Sequence, residues 1–319
     1  MNKKLKNTIK VLLPLLLGVF LVWYSLKEVP LPKIIDYWQS STKSWVVLGV
    51  FLGLLSHLSR AYRWRFQLEP MGYHIKFGNS IMAVFATYLI NYTIPRSGEV
   101  ARASILANYE GVPFEKGFGT IVAERIADLI VMFGIIVVTL FLQFDFIYTF
   151  FSERFNPVKI GAVFVIFLVL VTSFFWFIKK SNSKIALKIK GFFNGLVEGA
   201  LSIFKMKKKW AFIFHTLFIW GMYMLMFYVT SFSIEDTRDI PFPAVLVGFI
   251  TASFSIAATS GGIGAYPLAV YLGFSVFGIQ EEPSIAFGWI MWASQTLMII
   301  ICGGLSLIYL PIYNRKKAV

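Results

Sequence analysis

The chain has 319 residues, of which 57% are hydrophobic and only 14% are charged, and its mean hydropathy is +0.71. This balance excludes a soluble globular domain and indicates an integral membrane protein. One cysteine and three scattered histidines, His57, His74 and His215, cannot form a disulfide framework or a thiolate zinc site, so we expect no metal and no cofactor.

The net charge of +14 is unevenly distributed along the chain. Basic residues cluster at both termini, after the second apolar stretch and in region 179–209, whereas acidic residues dominate the intervening loops. The positive-inside rule therefore predicts that both termini lie in the cytoplasm. We expect a multi-pass protein of the bacterial cytoplasmic (inner) membrane. Topology and attraction to anionic headgroups account for most of the lysines, so we expect membrane lipids and not nucleic acid as partners.

Apolar stretches predict an all-α polytopic bundle with about eight crossings. In chain order they lie near 8–26, 44–65, 117–142, 158–178, 210–232, 242–259, 261–278 and 284–311. Segment 77–109 is not among these crossings. A full crossing there would place the lysine-rich region 179–209 on the outer side of the membrane, against the positive-inside rule. We therefore predict that it is a re-entrant hairpin, which dips from the cytoplasm, breaks at Pro95 to Gly98 and returns through a short helix.

The chain is expected to form a single integral membrane domain, 1–319, with two halves that are candidates for an internal repeat. Apolar residues at helical spacing among lysines predict an amphipathic linker at 181–209, between a first half at 1–180 and a second half at 210–319. The second half has its own break, Thr259-Ser-Gly-Gly-Ile-Gly-Ala-Tyr-Pro267. A polar break in each half is the pattern of a transporter site near the membrane midplane.

The first break supplies the largest group of candidate binding residues. Backbone amides where a half-helix begins at Gly98 and Glu99 bind anions, and neighbouring arginines add donors for a phosphate. Alternatively, Glu99 caps the helix and pairs with an arginine only to hold the hairpin. The candidates here are Asn91, Pro95, Arg96, Gly98, Glu99 and Arg102.

A second group lies within the third predicted crossing. Glu124 and Asp128 are one turn apart on the same face, and Arg125 points away from them by about 100°. Two carboxylates in a membrane require a cation, which an arginine of the first break or a cationic headgroup would provide. The alternative is a buried network that is purely structural.

Two further groups complete the candidate site. Arg60 and Arg63 share a helical face and would line an entrance for a lipid phosphate, although snorkelling at the membrane surface also explains them. The glycines of the second break, Gly261, Gly262 and Gly264, either line the site or allow close helix packing. No nucleophile with a base, nucleotide-binding loop or metal motif occurs at a recognisable spacing, so we do not expect an enzyme.

Three ordered blocks resemble the flippase-like membrane region of the lysylphosphatidylglycerol synthase (multiple peptide resistance factor) family. They are Asn91-Tyr-Thr-Ile-Pro-Arg-Ser-Gly-Glu-Val-Ala-Arg102-Ala, Ala123-Glu-Arg-Ile-Ala-Asp-Leu129 and Gly261-Gly-Ile-Gly264. Members often have a proline before the paired glycines and a glutamate three residues after the last glycine, where this chain has Ser260 and Pro267. In the resistance factors a soluble aminoacyltransferase domain follows, whereas this chain stops at Val319.

The resemblance implies lipid handling without lipid synthesis. We expect a flippase that moves an anionic or aminoacylated phospholipid, or a polyprenyl-linked lipid, between leaflets. Arg63, Arg96 and Arg102 would hold the phosphate, and Glu99, Glu124 or Asp128 an ammonium group. The alternatives are a secondary transporter of a small anionic solute and a non-transporting accessory subunit of a lipid-modifying or glycosyltransferase complex. A homo-oligomer or a lipid-modifying enzyme is a further candidate partner.

Overall fold

A computed structural model describes residues 3–94, 96–144 and 206–315, with short stretches between 165 and 187. These residues form helices and no strand, which confirms the all-α prediction. The helices are α1 (Lys3–Glu28), α2 (Leu31–Ser40), α3 (Lys43–Leu68), α4 (Phe77–Thr93), α5 (Ser97–Glu110), α6 (Phe114–Leu142), α7 (Lys209–Ser231), α8 (Glu235–Arg238), α9 (Phe242–Ala258), α10 (Ala265–Ser275) and α11 (Glu281–Tyr313), with a short 3-10 helix at Glu69–Met71.

The chain divides into two compact units. The first comprises Met1–Val122 and Lys207–Val319, and the second comprises Ala123–Met206. Helix α6 begins in the first unit and continues into the second. Most of the predicted crossing at 158–178 and of the predicted linker at 181–209 lies outside the described residues.

Four described segments are long and apolar enough to cross a membrane. They are Lys43–Met71, Phe114–Leu142, Lys209–Ser231 and Glu281–Tyr313. Each coincides with a predicted crossing, and α1 covers the predicted crossing at 8–26. Their surfaces carry many exposed large apolar side chains, as expected where a helix faces lipid hydrocarbon and not water.

At one end of the first unit, polar contacts join the termini of several helices. Lys208 Nζ lies 2.6 Å from Glu69 Oε2, which joins the start of α7 to the end of α3. The side-chain amides of Asn79 and Asn314 exchange two hydrogen bonds, at 2.9 and 2.7 Å, and join the start of α4 to the end of α11. We call this the basic end, after the basic residues that lie there. They are Arg65, Lys76, Lys116, Lys208 and Arg315.

The opposite termini of the same helices meet at an acidic end. The Thr42 amide donates to the Ser233 carbonyl at 2.8 Å, which joins the start of α3 to the end of α7. Lys33 pairs with Glu282 and joins α2 to the start of α11. The acidic residues of this end are Asp36, Glu235, Asp236, Asp239, Glu281 and Glu282.

Helices α4 and α5 form a hairpin that starts and finishes at the basic end. The Lys76 amide, just before α4, donates to Glu110 Oε1 at the end of α5 at 3.1 Å. At 17 and 14 residues, the two helices extend about 25 and 21 Å. A side chain at Gly98 would collide with the Thr87 carbonyl, so this glycine permits the close approach of the two limbs. The segment is thus a hairpin, as predicted.

Helices α9 and α10 form a second hairpin, which starts and finishes at the acidic end. The residues before α9, 239–241, and after α10, 278–280, line the same cavity of about 400 Å³. A Cβ on Gly273 would lie 2.7 Å from Gly248 Cα, so the limbs pack closely. The sequence had predicted two crossings here, but the 11 residues of α10 extend only about 16 Å, far less than a bilayer core.

Within the first unit, α3 with the first hairpin and α7 with the second hairpin therefore have an inverted arrangement. In each, a long helix is followed by a hairpin and then by another long helix: α3, α4–α5, α6 and α7, α9–α10, α11. Helix α3 runs from the acidic end to the basic end, α7 runs in the opposite direction, and the two hairpins enter from opposite ends. Broken helices in corresponding positions of two inverted repeats are also found in membrane transporters.

Candidate functional site

The tips of the two hairpins meet inside the first unit, against α11. A side chain added at Gly261 in the second tip would collide with the ring of Tyr92 in the first. The Tyr92 hydroxyl lies 3.0 Å from Thr296 Oγ1, and Trp292 Nε1 donates to the Gly261 carbonyl at 2.8 Å. Both breaks are thus anchored to one face of α11, which satisfies backbone and side-chain groups that lipid could not.

Asn91 organises the first break. Its Oδ1 accepts a hydrogen bond from the Gly98 amide at 2.8 Å, and its Nδ2 lies 3.4 and 3.5 Å from the Glu99 carboxylate oxygens. The Gly98 amide, which the sequence had predicted to be exposed for an anion, is therefore occupied by a side-chain cap. Arg96 is exposed and has φ of 61°, a left-handed conformation that costs free energy in a non-glycine residue. Pro95 lies outside the described residues.

The second break is capped in a similar way. Thr259 Oγ1 accepts a hydrogen bond from the Gly262 amide at 3.1 Å. Gly261 and Gly264 have φ of 65° and 67°, and a side chain at Gly264 would also collide with the backbone of α1 at Val22. These two glycines are required by backbone conformation and by close packing, which was the alternative interpretation of the motif.

Arg102 is buried beside α3. Only 1% of it is exposed, and its guanidinium carbon lies 3.7 Å from the centroid of the Trp64 ring. Trp64 is held in turn by a hydrogen bond from its Nε1 to Thr120 Oγ1 at 2.8 Å. The structure therefore places this positive charge within the protein, one turn beyond the capped start of α5.

Arg60 and Arg63 are buried between helices and do not snorkel to a surface. They are 2% and 0% exposed. Arg63 Nη1 donates to Thr216 Oγ1 of α7 at 2.7 Å, and its guanidinium lies 5.0 Å from the Phe212 ring. One turn earlier on α3, Ser59 Oγ lies 2.8 Å from His215 Nδ1, which adds another polar contact between α3 and α7.

The acidic residues of α6 belong to the second unit. Glu124 and Asp128 are buried, at 0% and 6% exposure, as expected for one shared face. The Arg125 side chain is 39% exposed but still reaches back to Asp128, at 3.5 Å. The predicted orientation of Arg125 away from both carboxylates is therefore wrong for Asp128, because residues three apart on a helix are neighbours.

Sequence reasoning missed a buried polar layer between α3, α4, α7 and α11. The His57 ring is 5% exposed and lies 4.5 Å from the Tyr88 ring and 6.0 Å from the Tyr223 ring. The two tyrosine hydroxyls are 3.4 Å apart. The available signal was the spacing of His57 and Arg60, which lie three residues apart on α3.

Negative charge is concentrated away from the hairpin tips, at the acidic end. Burial, with the carboxylates of Asp236 and Glu282, raises the pKa of Tyr37 on α2. Among the described residues, no group of three His, Cys, Asp or Glu side chains has the arrangement of a metal site.

Comparison with known proteins gives the family. Residues 11–304 match the family model described as the lysylphosphatidylglycerol synthase TM region. The chain is 26% identical over 312 residues to the UPF0104 membrane protein MJ1595 of Methanocaldococcus jannaschii, with 88% of this chain and 87% of that protein covered. It is also 29% identical over 91 residues to the glycosyltransferase AglD of Haloferax volcanii, which covers 28% of this chain and 15% of that protein. The chain belongs to the lysylphosphatidylglycerol synthase TM-region family, as its three sequence blocks predicted.

Proposed function

We propose that this protein is a flippase that moves an anionic or aminoacylated phospholipid, or a polyprenyl-linked lipid, between membrane leaflets. The observation that carries the proposal is the meeting of two opposed hairpins at Tyr92 and Gly261. Broken helices that enter from opposite ends and meet in the interior form the substrate site of many transporters with inverted repeats. Separation of the tips from one end or the other would expose the same interior to each leaflet in turn.

The charges of the first unit suit a phosphate-bearing substrate. Arg60, Arg63 and Arg102 are all at least 98% buried, and a guanidinium binds a phosphate through two parallel hydrogen bonds. The Glu99 carboxylate is partly buried beside Asn91 at the hairpin tip, where it would receive the ammonium of an aminoacylated headgroup. The α6 residues Glu124 and Asp128 remain candidates for the same role.

The membrane orientation is part of the proposal. The lysines and arginines of the basic end favour the cytoplasmic side, which would place both chain termini in the cytoplasm. The first hairpin would then dip from the cytoplasm and the second from the opposite face. We propose the bacterial cytoplasmic (inner) membrane as the location.

The test is lipid translocation by the purified chain in sealed vesicles. Fluorescent phosphatidylglycerol is distributed over both leaflets, and dithionite added outside bleaches only the label that is exposed there. The flippase proposal expects the inner-leaflet signal to decay in vesicles that contain the protein and to persist in protein-free vesicles. Persistence in both would contradict it. Uptake of a radiolabelled soluble anion in the same vesicles would instead favour the solute transporter.

One observation favours the accessory-subunit alternative. The Haloferax volcanii protein that matches 28% of this chain is named a glycosyltransferase, so a segment related to this chain occurs within a protein of that name. Under this alternative, the purified protein would not translocate lipid, and it would co-purify with a glycosyltransferase or another lipid-modifying enzyme. Translocation by the protein alone would exclude an exclusively accessory role.

A further inference from the structure

Two buried polar atoms beside the hairpin tips lack hydrogen-bond partners among the described residues. They are Oγ of Ser260, a residue of the second tip that is 2% exposed, and Nε2 of Gln295 on α11. A buried polar atom without a partner lowers stability, and each such atom in a native structure calls for an explanation. The contacts that anchor the two tips supply none for either atom.

Both atoms lie close to the place where the hairpins meet. Ser260 precedes Gly261, whose carbonyl accepts the hydrogen bond from Trp292 Nε1 at 2.8 Å. Gln295 follows Trp292 by three residues on α11, so their side chains are neighbours on the helix surface. The Gln295 side chain also reaches α3, where a Cβ on Gly53 would collide with its Oε1. The two atoms thus belong to the interior that would open if the tips separated.

Beyond the acidic end, the second hairpin and α11 carry no charged residue. Residues 240–280 and 283–314 contain no Asp, Glu, Lys or Arg. The buried arginines Arg60, Arg63 and Arg102 belong instead to α3 and α5. This side of the interior can therefore recognise a headgroup only through uncharged donors and acceptors. A hydroxyl suits such groups, because it both donates and accepts hydrogen bonds.

We propose that Ser260 and Gln295 bind hydroxyl groups of the lipid headgroup, so that the protein selects a phosphodiester lipid whose headgroup alcohol carries further hydroxyls. The Gln295 amide donates to one hydroxyl oxygen, and the Ser260 hydroxyl pairs with another. A lipid without these hydroxyls leaves both buried groups unpaired and is rejected for that reason. This inference rests on the proposed function for lipid transport, and it adds the class of headgroup.

The experiment compares two lipids of equal charge in the vesicle translocation assay with the full-length protein. Phosphatidylglycerol has two free hydroxyls on its headgroup, whereas phosphatidylpropanol has the same three-carbon chain and none. Both carry the fluorescent label on an acyl chain. Because each unpaired buried group carries a free-energy penalty, we expect phosphatidylglycerol to move about tenfold faster or more.

The outcomes separate this inference from the flippase proposal. Equal rates, or faster movement of phosphatidylpropanol, would overturn the hydroxyl selectivity and leave the flippase proposal standing. Equal rates are also the result expected if ordered water alone satisfies the two groups. Movement of neither lipid would contradict the flippase proposal, and with it this inference.

Matched variants assign the selectivity to the two residues. Gln295→Leu and Ser260→Ala should each bring the ratio of the two rates closer to one. Ser294→Ala is the control and should keep the wild-type ratio, because Ser294 Oγ already donates to the Met291 carbonyl within α11 at 3.0 Å. A wild-type ratio in both test variants would overturn the assignment. The comparison of the two lipids with the wild-type protein needs no variant, so it decides the selectivity even if a variant does not fold.

Discussion

The Trp292 indole donates a hydrogen bond to the Gly261 carbonyl at 2.8 Å, and this bond fixes the tip of the second hairpin to α11. On the same helix, Thr296 holds the Tyr92 hydroxyl of the first hairpin at 3.0 Å. One face of α11 thus positions both breaks, and a movement of either hairpin must break one of these contacts.

Loss of the Asn91 cap should destabilise the first hairpin. Asn91→Ala removes the acceptor of the Gly98 amide, and we expect it to lower the free energy of unfolding by about 1 kcal/mol. Asn91→Asp keeps the acceptor but places a second carboxylate beside Glu99. Thermal unfolding in detergent at acid and alkaline pH checks both. At acid pH, Asn91→Asp should be more stable than Asn91→Ala, and this order should change at alkaline pH. The same order of stability at both pH values would contradict this account of the cap.

The stacking of Arg102 on Trp64 should make lysine a poor replacement. Arg102→Lys keeps the charge but loses the planar guanidinium, so we expect a loss of about 1–2 kcal/mol of stability. Trp64→Leu should cost as much or more, because Thr120 also loses its donor. A double-mutant cycle checks the contact. Additive effects of the two substitutions would mean that the stack contributes nothing to stability.

The hydrogen bond from Arg63 to Thr216 should stabilise the packing of α3 on α7. Thr216→Val is nearly isosteric and removes the acceptor of a buried charged donor, so we expect a cost of about 1–3 kcal/mol. Thr216→Ser keeps the hydroxyl and is the control. The measurement is thermal unfolding of both variants. Equal stability of the valine and serine variants would show that the hydrogen bond is unimportant.

The opposed orientation of the two hairpins predicts from which side of the membrane introduced cysteines can be labelled. Cysteines at Lys76 and Lys116, in a Cys302→Ser background, should react with an impermeant maleimide from the cytoplasmic side only. A cysteine at Asp239, beside the second hairpin, should react from the opposite side only. Reaction of Lys76→Cys and Lys116→Cys from different sides would mean that segment 77–109 crosses the membrane.

The first hairpin could be predicted from sequence because charged residues flank it. The charges of the later loops also show that the chain returns to the side from which it entered. The second could not, because run 240–280 has no charged residue to mark where a helix turns. A hairpin with two short limbs and a pair of full crossings both return the chain to the side on which it started, so the positive-inside rule does not distinguish them.

The candidate site was only partly predictable. Glycines and charged residues were visible as motifs, but their partners were not. Thr216, which binds Arg63, is 153 residues away in sequence. Asn91 was interpreted as the end of a half-helix, whereas its side chain occupies the amide that had been assigned to an anion. Such contacts depend on helix packing, which periodicity alone does not specify.

The most direct test of the account compares Gly261→Ala with Gly111→Ala in the vesicle translocation assay. Both glycines have nearly the same left-handed φ, 65° and 66°, so alanine causes similar backbone strain at each. A side chain at Gly261 collides with Tyr92, however, whereas one at Gly111 meets nothing within 4 Å. If the meeting of the tips controls transport, Gly261→Ala should slow phosphatidylglycerol translocation by about tenfold or more, which corresponds to about 1.4 kcal/mol of barrier, and Gly111→Ala should translocate at the wild-type rate. Equal rates in the two folded variants would contradict the central role of the hairpin tips.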